Sequence, residues 1–176
     1  MLRYALPNLC TLCNFTCGVL AIYNLFEQKY LPAIFLISLG LCFDVLDGWT
    51  ARKLHVFSLF GKELDSLSDL VTFGLAPAFL AYQFGLWSYG LWGLGFVLIY
   101  TISAIIRLAR FNAVQSDLST FLGLPVPAAA ILLMISILCL PLWLWIPIII
   151  VLSYLMLSSI VVPHFKKTGD TTYGVR

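Results

Sequence analysis

Apolar residues along this chain run in long blocks, not in the alternating or three-and-four patterns of soluble elements. Five blocks stand out, at residues 9–26, 32–50, 66–84, 87–108 and 125–163. About 20 apolar residues carry a helix across a hydrocarbon core roughly 30 Å thick. Each of the first four blocks therefore predicts one membrane-spanning helix. The fifth is too long for a single helix rising about 1.5 Å per residue. Pro141 and Pro147 bracket Trp143 and Trp145 within it, which suits a tight hairpin at the interface. Dividing the block there gives six spans. The expected fold is an all-α integral membrane protein with six transmembrane helices, one domain over residues 1–163 and a polar tail over 164–176.

Composition agrees. Of 176 residues, 61% are hydrophobic and 10% charged, against about 25% charged in an ordinary soluble domain. Mean hydropathy is +1.00, so a bilayer has to serve as solvent. The first block follows Arg3 without a small-residue cleavage site, so no cleavable signal is expected. A net charge of +2 gives no footing for a nucleic-acid partner. The placement of charge says more. With six spans, Arg3, Arg52, Lys53, Lys62, Arg107, Arg110, Lys166, Lys167 and Arg176 share one side, and only Lys29 lies on the other. By the positive-inside rule both termini are cytoplasmic, in the cell (inner) membrane. Cys10, Cys13 and Cys17 recur at helical spacing with no histidine nearby, which reads as helix packing and not as a metal or redox pair.

Seven of the eight acidic residues fall on the cytoplasmic side. Asp44 and Asp47 stand three apart at the end of the second span, Asp65 and Asp69 four apart at the start of the third. Both spacings put two carboxylates on one helix face. A short connection makes the helices antiparallel neighbours, so the pairs converge. Each carboxylate costs about 2.5–3.5 kcal/mol near the bilayer centre and less toward its edge. Four together also repel, so a cation has to compensate. Oxygen-only ligands suit Mg²⁺ or Mn²⁺, and two such ions form a clamp for phosphoryl chemistry. A solvated acidic loop and the ion site of a divalent-cation transporter are the alternatives. Gly48, Ala51 and Gly61 favour the clamp, because small residues let a nucleotide approach the backbone.

The segment from Asp44 to Asp69 resembles the signature of the CDP-alcohol phosphotransferase family, D-x2-D-G-x2-A-R-x8-G-x3-D-x3-D. Asp44, Asp47, Gly48, Ala51, Arg52, Gly61, Asp65 and Asp69 fill every fixed position. The resemblance implies six transmembrane helices with the motif facing the cytoplasm. It implies two metals, one on Asp44, Asp47 and Asp65, the other on Asp44, Asp65 and Asp69, with Asp69 as general base. It implies CDP contacts from Gly48, Arg52 and Ser58, and a nucleotide pocket lined by Pro7, Asn8 and Thr11 of a P-N-x-x-T entry. Residues 68–78, 107–112 and 123–130 are similar to the phosphatidylserine-synthase branch of the family. The donor implied is CDP-diacylglycerol, the acceptor L-serine, the products phosphatidylserine and CMP, and the assembly a homodimer.

Arg107, Arg110 and Asn112 are the candidates for holding the acceptor or a phosphate, since guanidinium groups three apart on a helix bind anions well. Snorkelling anchors are the plainer reading of the two arginines. Glycerol 3-phosphate and inositol-type acceptors are the rivals of serine; the few available cations favour an acceptor with one carboxylate. His55, His164 and Glu63 read as solvated, Lys166 and Lys167 as topology or lipid contacts, and Trp87, Tyr89, Trp143 and Trp145 as interface anchors.

Overall fold

A computed structural model describes residues 2–54, 56, 58–114, 121–158 and 161–162. Among these residues six helices follow one another: α1 (Leu2–Phe26), α2 (Tyr30–Leu54), α3 (Leu59–Phe84), α4 (Leu91–Val114), α5 (Val126–Cys139) and α6 (Trp145–Leu157). The first four are long and apolar enough to cross a membrane. The last two, of 14 and 13 residues, are apolar but shorter; at about 1.5 Å per residue they rise only ~20 Å. Besides helix there is one antiparallel pairing of two residues each, Phe121 opposite Val162 and Leu122 opposite Val161, so the all-α expectation needs that small amendment. The expected tail at 164–176, His55, and the side chains of Arg3, Lys166, Lys167 and Arg176 lie outside the described residues.

Packing follows the rule for helices in lipid, where small side chains let backbones approach. α1 lies along α2 and against α3, and α4 packs beside α6. Ala21, Ala33, Ala76, Ala81, Ala104 and Ala129 are fully buried between helices, around larger groups such as Phe73, Leu80 and Tyr100. Leu31, Phe35, Leu91, Trp92 and Tyr154 point outward, as lipid-facing side chains do.

The third helix begins earlier than the hydropathy blocks suggest, at Leu59, because Ser58 caps it: its Oγ accepts from the Gly61 N–H at 2.9 Å. The first turns are amphipathic and do not register as an apolar run. α3 then passes through a π-helical turn, Leu70–Leu75. Pro77 has no N–H for the carbonyl one turn back, and the Phe73 carbonyl instead accepts from the buried Tyr100 hydroxyl at 3.3 Å. The turn is seated by glycines on two other helices. A Cβ on Gly18 would collide with Thr72, standing 2.9 Å from its Cα, and one on Gly40 would stand 2.6 Å from Thr72 Cγ2.

The break between α5 and α6 falls at Leu140–Leu144, so Pro141 marks it while Pro147 sits in the first turn of α6. Trp145 corrects the anchor reading. It is buried, and its indole N–H donates to the Leu140 carbonyl at 3.0 Å, closing the break from inside. Trp87, Tyr89 and Trp143 are exposed, as anchors require.

Candidate active site

The end of α2 and the start of α3 bring the acidic residues together. Carboxylate oxygens of Asp44, Asp47 and Asp65 lie within 4.8 Å of one another. Oxygen ligands sit about 2.0–2.1 Å from Mg²⁺ and about 2.3–2.6 Å from Ca²⁺, so oxygens sharing one ion stand at most about 4.2 Å apart around the smaller ion and about 5.2 Å around the larger. The triad is compatible with a divalent ion, the smaller Mg²⁺ requiring its oxygens to close in by a few tenths of an ångström. Asp69, one turn beyond Asp65 on α3, stands outside that triad and interacts electrostatically with Asp44 and Asp65. Asp47 and Asp69 are buried, Asp44 and Asp65 half-buried. Asp65 Oδ1 is buried with no hydrogen-bond partner among the described residues. Among the described residues no lysine or arginine reaches salt-bridge distance of any of the four; the ion pair found is Lys29 with Glu27, far from them in sequence and in a different connection. Like charges held this closely need a cation or a shared proton between them.

α1 supplies neutral partners. Thr11 Oγ1 donates to Asp47 Oδ2 at 2.8 Å, with the Pro7 carbonyl at 3.0 Å as its other acceptor. Asn14 Nδ2 donates to Asp69 Oδ1 at 3.1 Å. In return Ser68 donates to the Thr11 carbonyl and Thr72 to the Asn14 carbonyl, each at 3.0 Å. Asn14 is the residue that sequence reasoning missed. A lone asparagine in an apolar block looks like a packing detail, and only its place one turn beyond Thr11 on the same face hints at more.

A cavity of about 320 Å³ opens beside Asp47 and Asp65. All eight residues expected to face the CDP moiety line it: Pro7, Asn8, Thr11, Gly48, Ala51, Arg52, Ser58 and Gly61. Gly61 is needed for the closeness of its walls, since a Cβ there would stand 3.0 Å from Ser58 Oγ and 3.1 Å from Asn8 Oδ1. Ser58 faces the cavity while its oxygen caps α3. Val56, Lys62 and Phe111 also line it and had been given no nucleotide role. Lys62 is half-buried in the first turn of α3, not in a loop, and its ammonium lies 5.5 Å from the Phe111 ring centre.

The three candidates for the acceptor separate. Arg107 is buried on α4, within electrostatic reach of Asp69, with Nε unpartnered and the guanidinium 5.5 Å from the Phe111 ring centre. Arg110 instead donates to the Leu157 and Ser158 carbonyls at 3.0 and 2.9 Å, capping α6. Asn112 bridges to α3: its Oδ1 accepts from Ser66 at 3.2 Å, its Nδ2 donates to Glu63 at 3.0 Å, and its carbonyl accepts from Lys62 at 3.1 Å. Glu63, read as solvated, thus has a defined partner.

Comparison with known proteins points the same way as this geometry. The family model described as CDP-alcohol phosphatidyltransferase matches residues 4–162. A CDP-diacylglycerol–serine O-phosphatidyltransferase of Bacillus subtilis is 45% identical over 162 residues, 92% of this chain and 92% of that protein. One of the same name from Helicobacter pylori is 35% identical over 175 residues, 93% of this chain and 74% of the relative. An archaetidylserine synthase of Methanothermobacter thermautotrophicus is 36% identical over 172 residues, 96% of this chain and 73% of the relative. With a cavity beside converging carboxylates, and a family model that runs almost from end to end, the chain belongs to the CDP-alcohol phosphatidyltransferase family.

Proposed function

We propose that this chain transfers the phosphatidyl group of CDP-diacylglycerol to the hydroxyl of L-serine, giving phosphatidylserine and CMP. The observation that carries the reading is the cavity whose wall includes both the expected nucleotide residues and two of the four aspartates. Serine as acceptor is supported by the names of the relatives.

Asp44, Asp47 and Asp65 would hold one divalent ion, and Asp44, Asp65 and Asp69 a second. Bound there, Mg²⁺ or Mn²⁺ supplies charge neutralisation for the diphosphate and for the departing CMP. The protein's own groups do the rest. Arg52 and the small residues Gly48, Ala51 and Gly61 admit and orient the nucleotide. Asp69 takes the proton of the serine hydroxyl as that oxygen bonds to the lipid-side phosphorus and the bond to CMP breaks. Arg107, with a free Nε, holds the serine carboxylate, whereas Arg110 and Asn112 keep α6 and α3 in register with α4.

The reading places the cavity mouth toward the cytoplasm of the inner membrane, with six helices in the bilayer, both termini inside, and a homodimer as the working unit. The charge bias of the loops supports the orientation.

The test is CMP release by purified protein in CDP-diacylglycerol micelles. Release that requires serine, is not matched by glycerol 3-phosphate or inositol, and stops with EDTA is the expected result. Release indifferent to serine, or undiminished by full chelation, would overturn the proposal.

A further inference from the structure

We infer that Asn14 is the positioning residue of Asp69, and that Thr72 locks Asn14 into that role. The inference deepens the proposed function and rests on Asp69 acting as the base.

Asn14 is completely buried in α1, and its Nδ2 donates to Asp69 Oδ1 at 3.1 Å. An amide N–H only donates, so the carboxyl oxygen facing it is fixed as an acceptor. The carboxyl cannot turn about its own axis without losing that bond. Its orientation is thereby set from α1.

The same residue is gripped a second time. Its main-chain carbonyl accepts from Thr72 Oγ1 at 3.0 Å, and Thr72 lies three residues beyond Asp69 on the π-helical turn. A side chain of α1 thus reaches α3, and a side chain of α3 reaches back to the backbone of the same α1 residue. The glycines on either side make the grip tight. A Cβ on Gly40 would stand 2.9 Å from Asn14 Oδ1 and 2.6 Å from Thr72 Cγ2, and one on Gly18 would stand 2.9 Å from Thr72 Cα. Asn14 Oδ1 is buried without a hydrogen-bond partner among the described residues. Leucine has similar size and would fill the site without leaving a polar atom unpaired. An asparagine that is costly to bury, aimed at the base and immobilised from behind, fits a positioning role better than a packing role.

The test compares Asn14→Leu, Thr72→Val, Thr72→Ser and Asp69→Asn by steady-state CMP release in micelles, with detergent-solubilised protein checked for monodispersity. Small displacements of reacting groups cost up to about 100-fold in rate. Asn14→Leu is expected to lower kcat about 10- to 100-fold while the KM for CDP-diacylglycerol stays within about threefold. Thr72→Val, which keeps the shape and loses the donor, is expected to lower kcat about three- to tenfold, and Thr72→Ser to restore it. Equal loss in Thr72→Ser and Thr72→Val would overturn the lock. A parental kcat in Asn14→Leu, with Asp69→Asn inactive, would overturn the positioning role alone. An active Asp69→Asn would strike the base assignment itself. Should Asn14→Leu not yield monodisperse protein, the split between the two Thr72 variants decides.

Discussion

Thr11 and Asp47 meet at 2.8 Å across the α1–α2 contact, the hydroxyl of one donating to the carboxylate of the other. One residue belongs to the expected nucleotide pocket and the other to the metal triad, so a single hydrogen bond joins the two parts of the site. Groups that orient a metal ligand commonly govern metal affinity by about 10- to 100-fold. Thr11→Val, which keeps the shape, should raise the Mg²⁺ or Mn²⁺ concentration for half-maximal CMP release by about tenfold. Metal titration of the variant at saturating CDP-lipid checks this, and an unchanged half-saturation point would count against it.

Asp44 and Asp69 interact electrostatically, yet their replacement should have different consequences. Asp69→Asn keeps the shape and the ability to face a metal but loses the basic oxygen. Turnover should fall about 100- to 10,000-fold while CDP-diacylglycerol binding is retained. Asp44→Asn sits between both proposed ion positions and should weaken Mn²⁺ binding, which calorimetry or paramagnetic broadening reads directly. Matching losses of metal affinity in the two variants would remove the distinction.

The two arginines of α4 offer a sharper contrast. Arg107 is buried within electrostatic reach of Asp69, its Nε unpartnered among the described residues, whereas Arg110 forks onto the carbonyls of Leu157 and Ser158. Lysine does not reproduce a planar fork. Arg107→Lys should raise the KM for serine about tenfold, since a hydrogen bond to a charged group contributes about 1.5–3 kcal/mol. Arg110→Lys should leave that KM within about twofold and lower the thermal midpoint in detergent. A serine KM that moves equally in both variants would return them to a shared role.

Tyr100→Phe tests the architecture behind the site. The Phe73 carbonyl, four residues before Pro77 and so without an α-helical donor there, would lose its buried hydroxyl partner. The cost should be about 1–3 kcal/mol, seen as a lower unfolding midpoint. Restoring the N–H with Pro77→Ala in the Tyr100→Phe background should recover part of it.

Much of this was visible in the chain itself. Aspartates three and four apart share a helix face whatever surrounds them, so their convergence follows from local geometry and one short connection. The cavity lining followed from small residues and from the family signature. What stayed hidden depends on contacts between distant segments. The π-helical turn is packed among Pro77, Tyr100 and two glycines on other helices, and no window of sequence contains all four. α3 starts at Leu59 because a serine caps an amphipathic turn, and hydropathy blocks do not register such a turn. Trp145 carries an indole that suits an interface, but its N–H finds the Leu140 carbonyl inside the fold. The hydrogen bonds of the Asn112 amide to Glu63 and Ser66 likewise join distant segments.

α1 contains no acidic residue, yet it touches both acid pairs, through Thr11 to α2 and through Asn14 to α3, and receives Ser68 and Thr72 in return. The acidic motif is therefore not a portable cassette. Transplanted onto another pair of helices, it would bring its charges without the jig that spaces them, and a relative altered only along α1 could lose its chemistry with every aspartate intact.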